Sequence, residues 1–183
     1  EADDVIGTLA VQFANEGYNV QIVSNDKDFS QLVNDKITLF NPIKNLILGY
    51  EEITEKYGVS PEQFIDFLAL CGDSSDNIPG IRGVGEKTAA KLLKTYTSWQ
   101  GLVENVENLK GKMKEKVTDS IDQLPLYVEL VTIRTDMALN YTAKDLRLRG
   151  IDGPNCLELF LKYGFRSLVR DLDLEQYLKG LEQ

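Results

Sequence analysis

The stretch Gly80–Leu93 (GIRGVGEKTAAKLL) constrains this chain more than any other: glycines at 80, 83 and 85 run straight into a helix signature carrying Lys87, Lys91 and Lys94. Glycine has no Cβ, so Gly83 and Gly85 are free to take positive φ and offer bare N–H groups to an anion. The helix opening near Glu86 adds its positive dipole end. The pattern reads as a phosphate-binding hairpin, and a grip on phosphates carries no base information. The plain alternative is a glycine C-cap between two helices, since Val84, Ala89, Leu92 and Leu93 have the spacing of core residues. A GxGxxG fingerprint of a dinucleotide fold would follow a strand, and the run before Gly80 reads as a helix. The intervening segment Cys71–Pro79 (CGDSSDNIP) sets Asp73 and Asp76 three apart, a spacing able to aim two hard oxygen ligands at one divalent cation.

Two further acidic clusters occupy comparable positions. Glu1, Asp3 and Asp4 open a helix signature continued by Ile6, Leu9, Ala10 and Phe13, and Asp26 and Asp28 follow the apolar run Val20–Val23. Each cluster alone is ordinary, because acids complement a helix N-terminus and aspartates cap turns. Convergence of all seven carboxylates would be unfavourable without cations, but two divalent ions about 4 Å apart would make it favourable. The chain has no histidine, which excludes Ser-His-Asp triads, Cys-His nucleophiles and His-ligated zinc, so carboxylates carry any catalysis. A net charge of −9 is unusual for a nucleic-acid binder. The acids are unevenly spread, however: residues 1–58 carry four basic and ten acidic groups, whereas residues 59–183 carry 16 and 19. Lys110–Lys116 forms a second basic stretch, equally readable as a solvated helix face or a second duplex contact.

With 43% apolar residues among 183, the chain can bury a real core, and its longest apolar runs are far too short to span a bilayer. Two cysteines, Cys71 and Cys156, are too few for a disulfide framework and suit a reducing cytoplasm. Short strands are expected at Val20–Val23, Ile37–Phe40 and Leu46–Leu48, the first ending in the polar loop Ser24–Asp28. This is one part of an open α/β sheet, whose ligands collect beyond the carboxyl ends of strands. From Ser60-Pro61 onward the pattern is helical, with helices expected near 86–96, 98–105, 112–133, 154–163 and 165–172. Tyr57, Tyr96, Trp99 and Tyr127 fall at helical spacing that favours packing over base stacking. The expected division is an α/β segment, 1–58, and a helical segment, 59–183, packed together.

At this level of detail the residues resemble the 5′-3′ exonuclease domains of bacterial DNA polymerase I, within the flap-endonuclease superfamily. The matching motifs are EADD at Glu1–Asp4, SNDKDFSQL at Ser24–Leu32, GDSSDNIPGIRGVGEKTAAKLL at Gly72–Leu93 and IRTD at Ile133–Asp136. The resemblance implies a PIN-like α/β core with a parallel sheet and a helical domain containing a helix-three-turn-helix motif. It implies two divalent cations, Mg²⁺ or Mn²⁺, with Glu1, Asp3 and Asp4 in the first metal cluster and Asp26, Asp28, Asp73 and Asp76 in the second. Asp3, Asp4, Asp26 and Asp28 take the catalytic role. Arg82, Gly83, Gly85, Lys87 and Lys91 belong to the DNA-binding hairpin, where family members often hold K⁺ on backbone carbonyls. The implied partner is duplex DNA with a 5′ flap or RNA primer, acted on by a monomeric protein that also carries a polymerase domain.

The family begins well upstream, with further metal-binding aspartates, basic residues at the scissile phosphate and a helical arch. The chain begins at Glu1 without methionine, so a fragment that is inactive alone is expected. Two other readings compete. A purely DNA-binding module would keep the hairpin without the chemistry. A haloacid-dehalogenase-like phosphatase is suggested by Asp26-Lys-Asp28, but Phe29-Ser30 stand where that family needs a small turn residue and then Thr or Val.

Overall fold

A computed structural model describes residues 1–180 of the chain, and they divide into two compact units, the first spanning Glu1–Asn140 and the second beginning at Tyr141. In the first unit, helix α1 (Ala2–Asn15) leads to β1 (Val20–Val23), which pairs in parallel with β2 (Ile37–Asn41). β3 (Leu46–Leu48) returns antiparallel along β2, placing Leu39 opposite Leu48. The parallel pair is the core of the expected sheet. The third strand has to reverse because the loop after Asn41 is too short for a crossover, and Asn45 takes a left-handed φ of 49° in that turn. A 3-10 turn, Asp28–Leu32, connects β1 to β2 and buries Phe29.

Helix α2 (Tyr50–Tyr57) is an element that the apolar periodicity does not predict. Its signals are Gly49 and Gly58 at its two ends, with Glu52 accepting from the Gly49 N–H at 2.9 Å and Gly58 at φ 73° closing the helix. Ile53 is its one buried anchor. Pro61 opens a 3-10 turn rather than the first turn of α3 (Phe64–Cys71). α3 is the centre of this unit: Phe64, Phe67, Leu68, Ala69 and Leu70 have no exposed surface, so it is apolar nearly all round, as a helix enclosed on every side must be. Tyr57 packs edge-on against Phe64 at 5.0 Å, and Tyr127 is buried, which confirms packing roles for these aromatics.

α4 (Glu86–Tyr96) and α5 (Trp99–Glu104) follow as expected, the latter capped by Ser98 Oγ, which accepts from the Gly101 N–H at 3.0 Å. The expected helix over 112–133 is two helices, α6 (Lys112–Ser120) and α7 (Leu124–Val131). Pro125 explains the break, because proline is tolerated in a first turn but not in mid-helix. The division expected at residue 58 falls inside the first unit, where residues from both sides share one core, including Ile37, Ile53, Phe64 and Leu93. The second unit holds α8 (Gly153–Lys162), α9 (Arg166–Asp171) and a 3-10 segment, Leu174–Gly180, around Leu157, Val169 and Leu174.

Candidate metal centre and nucleic-acid interface

Three segments distant in sequence deliver acids to one cleft. The first turn of α1 carries Asp3 and Asp4, and the segment 133–137 lies against it. The Arg134 N–H donates to Asp4 Oδ1 at 2.8 Å, and the Thr8 hydroxyl donates to the Arg134 carbonyl at 3.2 Å. The IRTD motif thus fixes the Asp4 carboxylate through backbone. Its neighbour Ile133 is anchored by Gln31, whose Oε1 accepts from the Ile133 N–H at 2.9 Å.

The second segment leaves the carboxyl end of β1. Ser24 Oγ accepts from the Asp26 N–H, and Asp26 Oδ1 accepts from the Asp28 N–H, both at 3.0 Å, which curls the loop into the 3-10 turn. The third segment is the loop after α3, pinched shut by paired backbone bonds between Asp73 and Ile78 at 2.8 and 2.7 Å. Gly72 takes φ 78°, and a Cβ there would stand 2.6 Å from the Ile78 carbonyl oxygen, so only glycine allows the loop to close.

The resulting cleft is lined by Glu1, Asp3, Asp4, Asp26, Asp28 and Asp76, with Ile78, Val131 and Ile133 as apolar wall. A second recess beside it is lined by Asn25, Asp26, Lys27, Asp73, Ser75 and Asp76. All seven acids singled out in the sequence therefore meet, with Asp26 and Asp76 on the border between the recesses. Ligand oxygens of Asp28, Asp73 and Asp76 lie within 4.8 Å of one another.

Electrostatics report the same convergence. Burial, then the negative charge of Asp26, with Asp73 and Asp76 adding and Lys27 opposing, pushes the Asp28 carboxyl up to about 7. Asp3 is raised by burial and by Asp26, Glu1, Asp4 and Asp76. Asp73 is held below the ordinary range: burial alone would raise it, but hydrogen bonds from Lys27 and Ser75 outweigh that. The donor set fits a hard divalent cation. It is all carboxylate oxygen, and Asp28 Oδ1 is buried without a hydrogen-bond partner among the described residues.

Lys27 is a site residue that sequence reasoning does not reach. Its ammonium donates to Asp73 Oδ2 and forms an ion pair with it. A lone lysine between two acids looks like surface charge, and its partner lies 46 positions on.

A further recess, lined among others by Lys27, Asp73, Gly85 and Glu86, adjoins the start of α4. Arg82, Gly83, Gly85, Lys87 and Lys91 are all exposed. Gly83 has the expected left-handed φ of 72°. Gly85 does not: at φ −94° and ψ 178° it is ordinary extended backbone at the N-cap of α4, a conformation open to any residue, and a side chain there would meet nothing within 4 Å of its Cβ. Its glycine leaves empty space in front of the first turn of the helix rather than relieving strain. One member of the second basic stretch also reaches this hairpin, as Lys116 Nζ donates to the Gly83 carbonyl at 3.4 Å. Cys71, between the two sites, has its thiol pushed up to about 11 by burial, so it is an inert packing group.

Residues 1–58 match the family described as 5′-3′ exonuclease, N-terminal resolvase-like domain, and residues 59–154 match 5′-3′ exonuclease, C-terminal SAM fold. Curated relatives include DNA polymerase I of Bacillus subtilis, 42% identical over 94% of this chain, and of Mycobacterium leprae, 45% identical over 92%. The thermostable DNA polymerase I of Thermus thermophilus is 41% identical over the whole chain. The chain spans about a fifth of the length of these relatives, between 19% and 22%. Among solved structures, bacteriophage T5 5′-exonuclease with bound zinc aligns with a TM-score of 0.63 at 27% identity, over 72% of this chain and 49% of that one. A T5 flap endonuclease in a pseudo-enzyme-product complex with DNA and metal ions aligns at 0.64 and 26%, over 74% and 50%. The chain belongs to the 5′-3′ exonuclease family that forms part of bacterial DNA polymerase I.

Proposed function

We propose that the chain is the part of a structure-specific 5′ nuclease that holds divalent cations, Mg²⁺ or Mn²⁺, against duplex DNA bearing a 5′ flap or RNA primer. In this reading it works within a protein that also carries a polymerase, in a reducing cytoplasm suited to the free thiols of Cys71 and Cys156. The observation that carries it is the convergence of seven carboxylates from three segments on one cleft and the recess beside it, with Asp28 Oδ1 buried and without a hydrogen-bond partner among the described residues. The metal-bound and DNA-bound T5 relatives support it.

Asp28, Asp73 and Asp76 would hold one cation, while Glu1, Asp3 and Asp4 face the space for another, with Asp26 between them. Divalent cations held there would supply positive charge beside the reacting phosphate and lower the pKa of an attacking water. The chain's own residues do the positioning. Asp4 is oriented by the Arg134 N–H, Asp28 by the turn that Asp26 closes, and Asp73 by Ser75 and Lys27.

Arg82, Lys87, Lys91 and Lys116, with the open backbone at Gly83 and Gly85, would grip one strand through phosphates and ignore sequence. A K⁺ on the hairpin carbonyls belongs to the same reading, and the Gly83 carbonyl already accepts from Lys116 Nζ. The experiment is flap cleavage by the full-length gene product. The double variant Asp26→Asn/Asp28→Asn should lose cleavage by two or more orders of magnitude, roughly the scale of losing one preorganised charge contact, and still bind the flap substrate. Cleavage at the parent rate would refute the reading in favour of a binding module.

A further inference from the structure

Lys27 does not point into solvent as a lysine between two aspartates ordinarily would. Its ammonium lies on Asp73 Oδ2, and the side chains are 32% and 3% exposed respectively. The other oxygen of Asp73 accepts from the Ser75 N–H at 2.8 Å. The most buried acid of the cluster therefore has both oxygens engaged, although it lies within 4.8 Å of ligand oxygens from Asp28 and Asp76. Asp28 Oδ1, by contrast, has no partner among the described residues.

We propose that Lys27 is a resident counter-cation of the Asp28, Asp73 and Asp76 set, a positioning residue whose ammonium holds Asp73 in the metal-free protein and leaves Asp73 Oδ2 when a divalent cation enters. The inference rests on reading that set as a divalent-cation site. Three carboxylates this close repel, and a buried carboxylate stripped of its partner is strongly unfavourable, so the fold needs a positive charge here before any metal arrives. Lysine suits a displaceable charge better than arginine, since its compact ammonium sits on a flexible four-carbon stem and makes no bidentate lock. A third of the side chain already faces water, so the tip can swing outward without unpacking the core. Metal entry then exchanges one cation for another and leaves the loop Gly72–Ile78 in place.

The test is Mn²⁺ titration calorimetry on the 183-residue chain, with thermal unfolding measured in parallel. Lys27→Met should bind Mn²⁺ roughly tenfold more tightly, because a competing positive charge has gone from the site. It should also melt lower than the parent without metal and show a larger rise in Tm at saturating Mn²⁺. Lys27→Arg should bind no more tightly than the parent. Should Lys27→Met fail to fold without metal, Lys27→Gln serves as the second uncharged variant with the same expectation. An unchanged or weaker Mn²⁺ affinity in the uncharged variant would make Lys27 a structural clamp and overturn the inference alone. Absence of Mn²⁺ binding in the parent and in every variant would overturn the cation site itself, and the inference with it.

Discussion

At Asp28, the burial that leaves one oxygen without a partner also lifts its carboxyl to about 7, so it is half-protonated near neutrality when no cation is present. The sign of the linkage follows. A carboxylate whose folded value lies above its ordinary 3.8 stabilises the metal-free fold fully below that value, and the contribution disappears as pH rises through about 7. A divalent cation needs the ionised form, so its affinity should rise with pH up to about 7 and then level off. Calorimetry in buffers of different ionisation enthalpy should detect about one proton released per bound Mn²⁺ near pH 6 and almost none near pH 8.5. Proton release that is flat across this range would remove Asp28 from the ligand set. At this scale the acids are legible in the sequence, because hard ligands at short spacing are a local pattern. The orphaned oxygen is not, since it depends on burial by residues far along the chain, and the same holds for the Lys27–Asp73 pair.

Among elements, the hairpin between α3 and α4 separates two uses of glycine that look alike in the sequence. Gly83 is left-handed at φ 72°, so Gly83→Val should destabilise the fold by about 1–2 kcal/mol in urea unfolding, the cost of placing a side chain in that region. Gly85 is extended and faces open space, so Gly85→Ala should change stability by less than about 0.5 kcal/mol. Its effect should appear in DNA affinity instead, because in the proposed grip the new methyl group would stand where a phosphate approaches. Lys87→Ala and Lys116→Ala should each weaken duplex binding for every sequence and flatten the slope of log K against log salt by about 0.9. Fluorescence anisotropy over a salt series checks this, and parent-like slopes in both variants would reduce the hairpin to a helix connector. Strand and helix positions are largely visible from apolar periodicity and end signals such as Ser98. The break between α6 and α7 is also signalled, by Pro125, but the apolar pattern running through both helices conceals it. α2 escapes notice because it is eight residues long and has Ile53 as its sole buried residue, too little for a periodicity to register.

For the molecule as a whole, the family's motifs lie in segments whose relation no local pattern reveals. The sheet brings the loop after β1 beside the start of α1, and α3, buried on all sides, delivers the Asp73 loop to the same rim while opening the way to α4. The acidic cleft and the basic hairpin are thus anchored in one core, and on the proposed reading a strand held at the hairpin would lie next to the acids. On the proposed reading, the loops after β1 and α3 place Asp28, Asp73 and Asp76 around one divalent cation. Anomalous diffraction from crystals of the chain grown with Mn²⁺ tests it most directly. A peak coordinated by Asp28, Asp73 and Asp76 is predicted, with Lys27 Nζ withdrawn from Asp73. Well-ordered crystals at saturating Mn²⁺ with no peak there, or with manganese only at acids outside the cleft, would contradict the account.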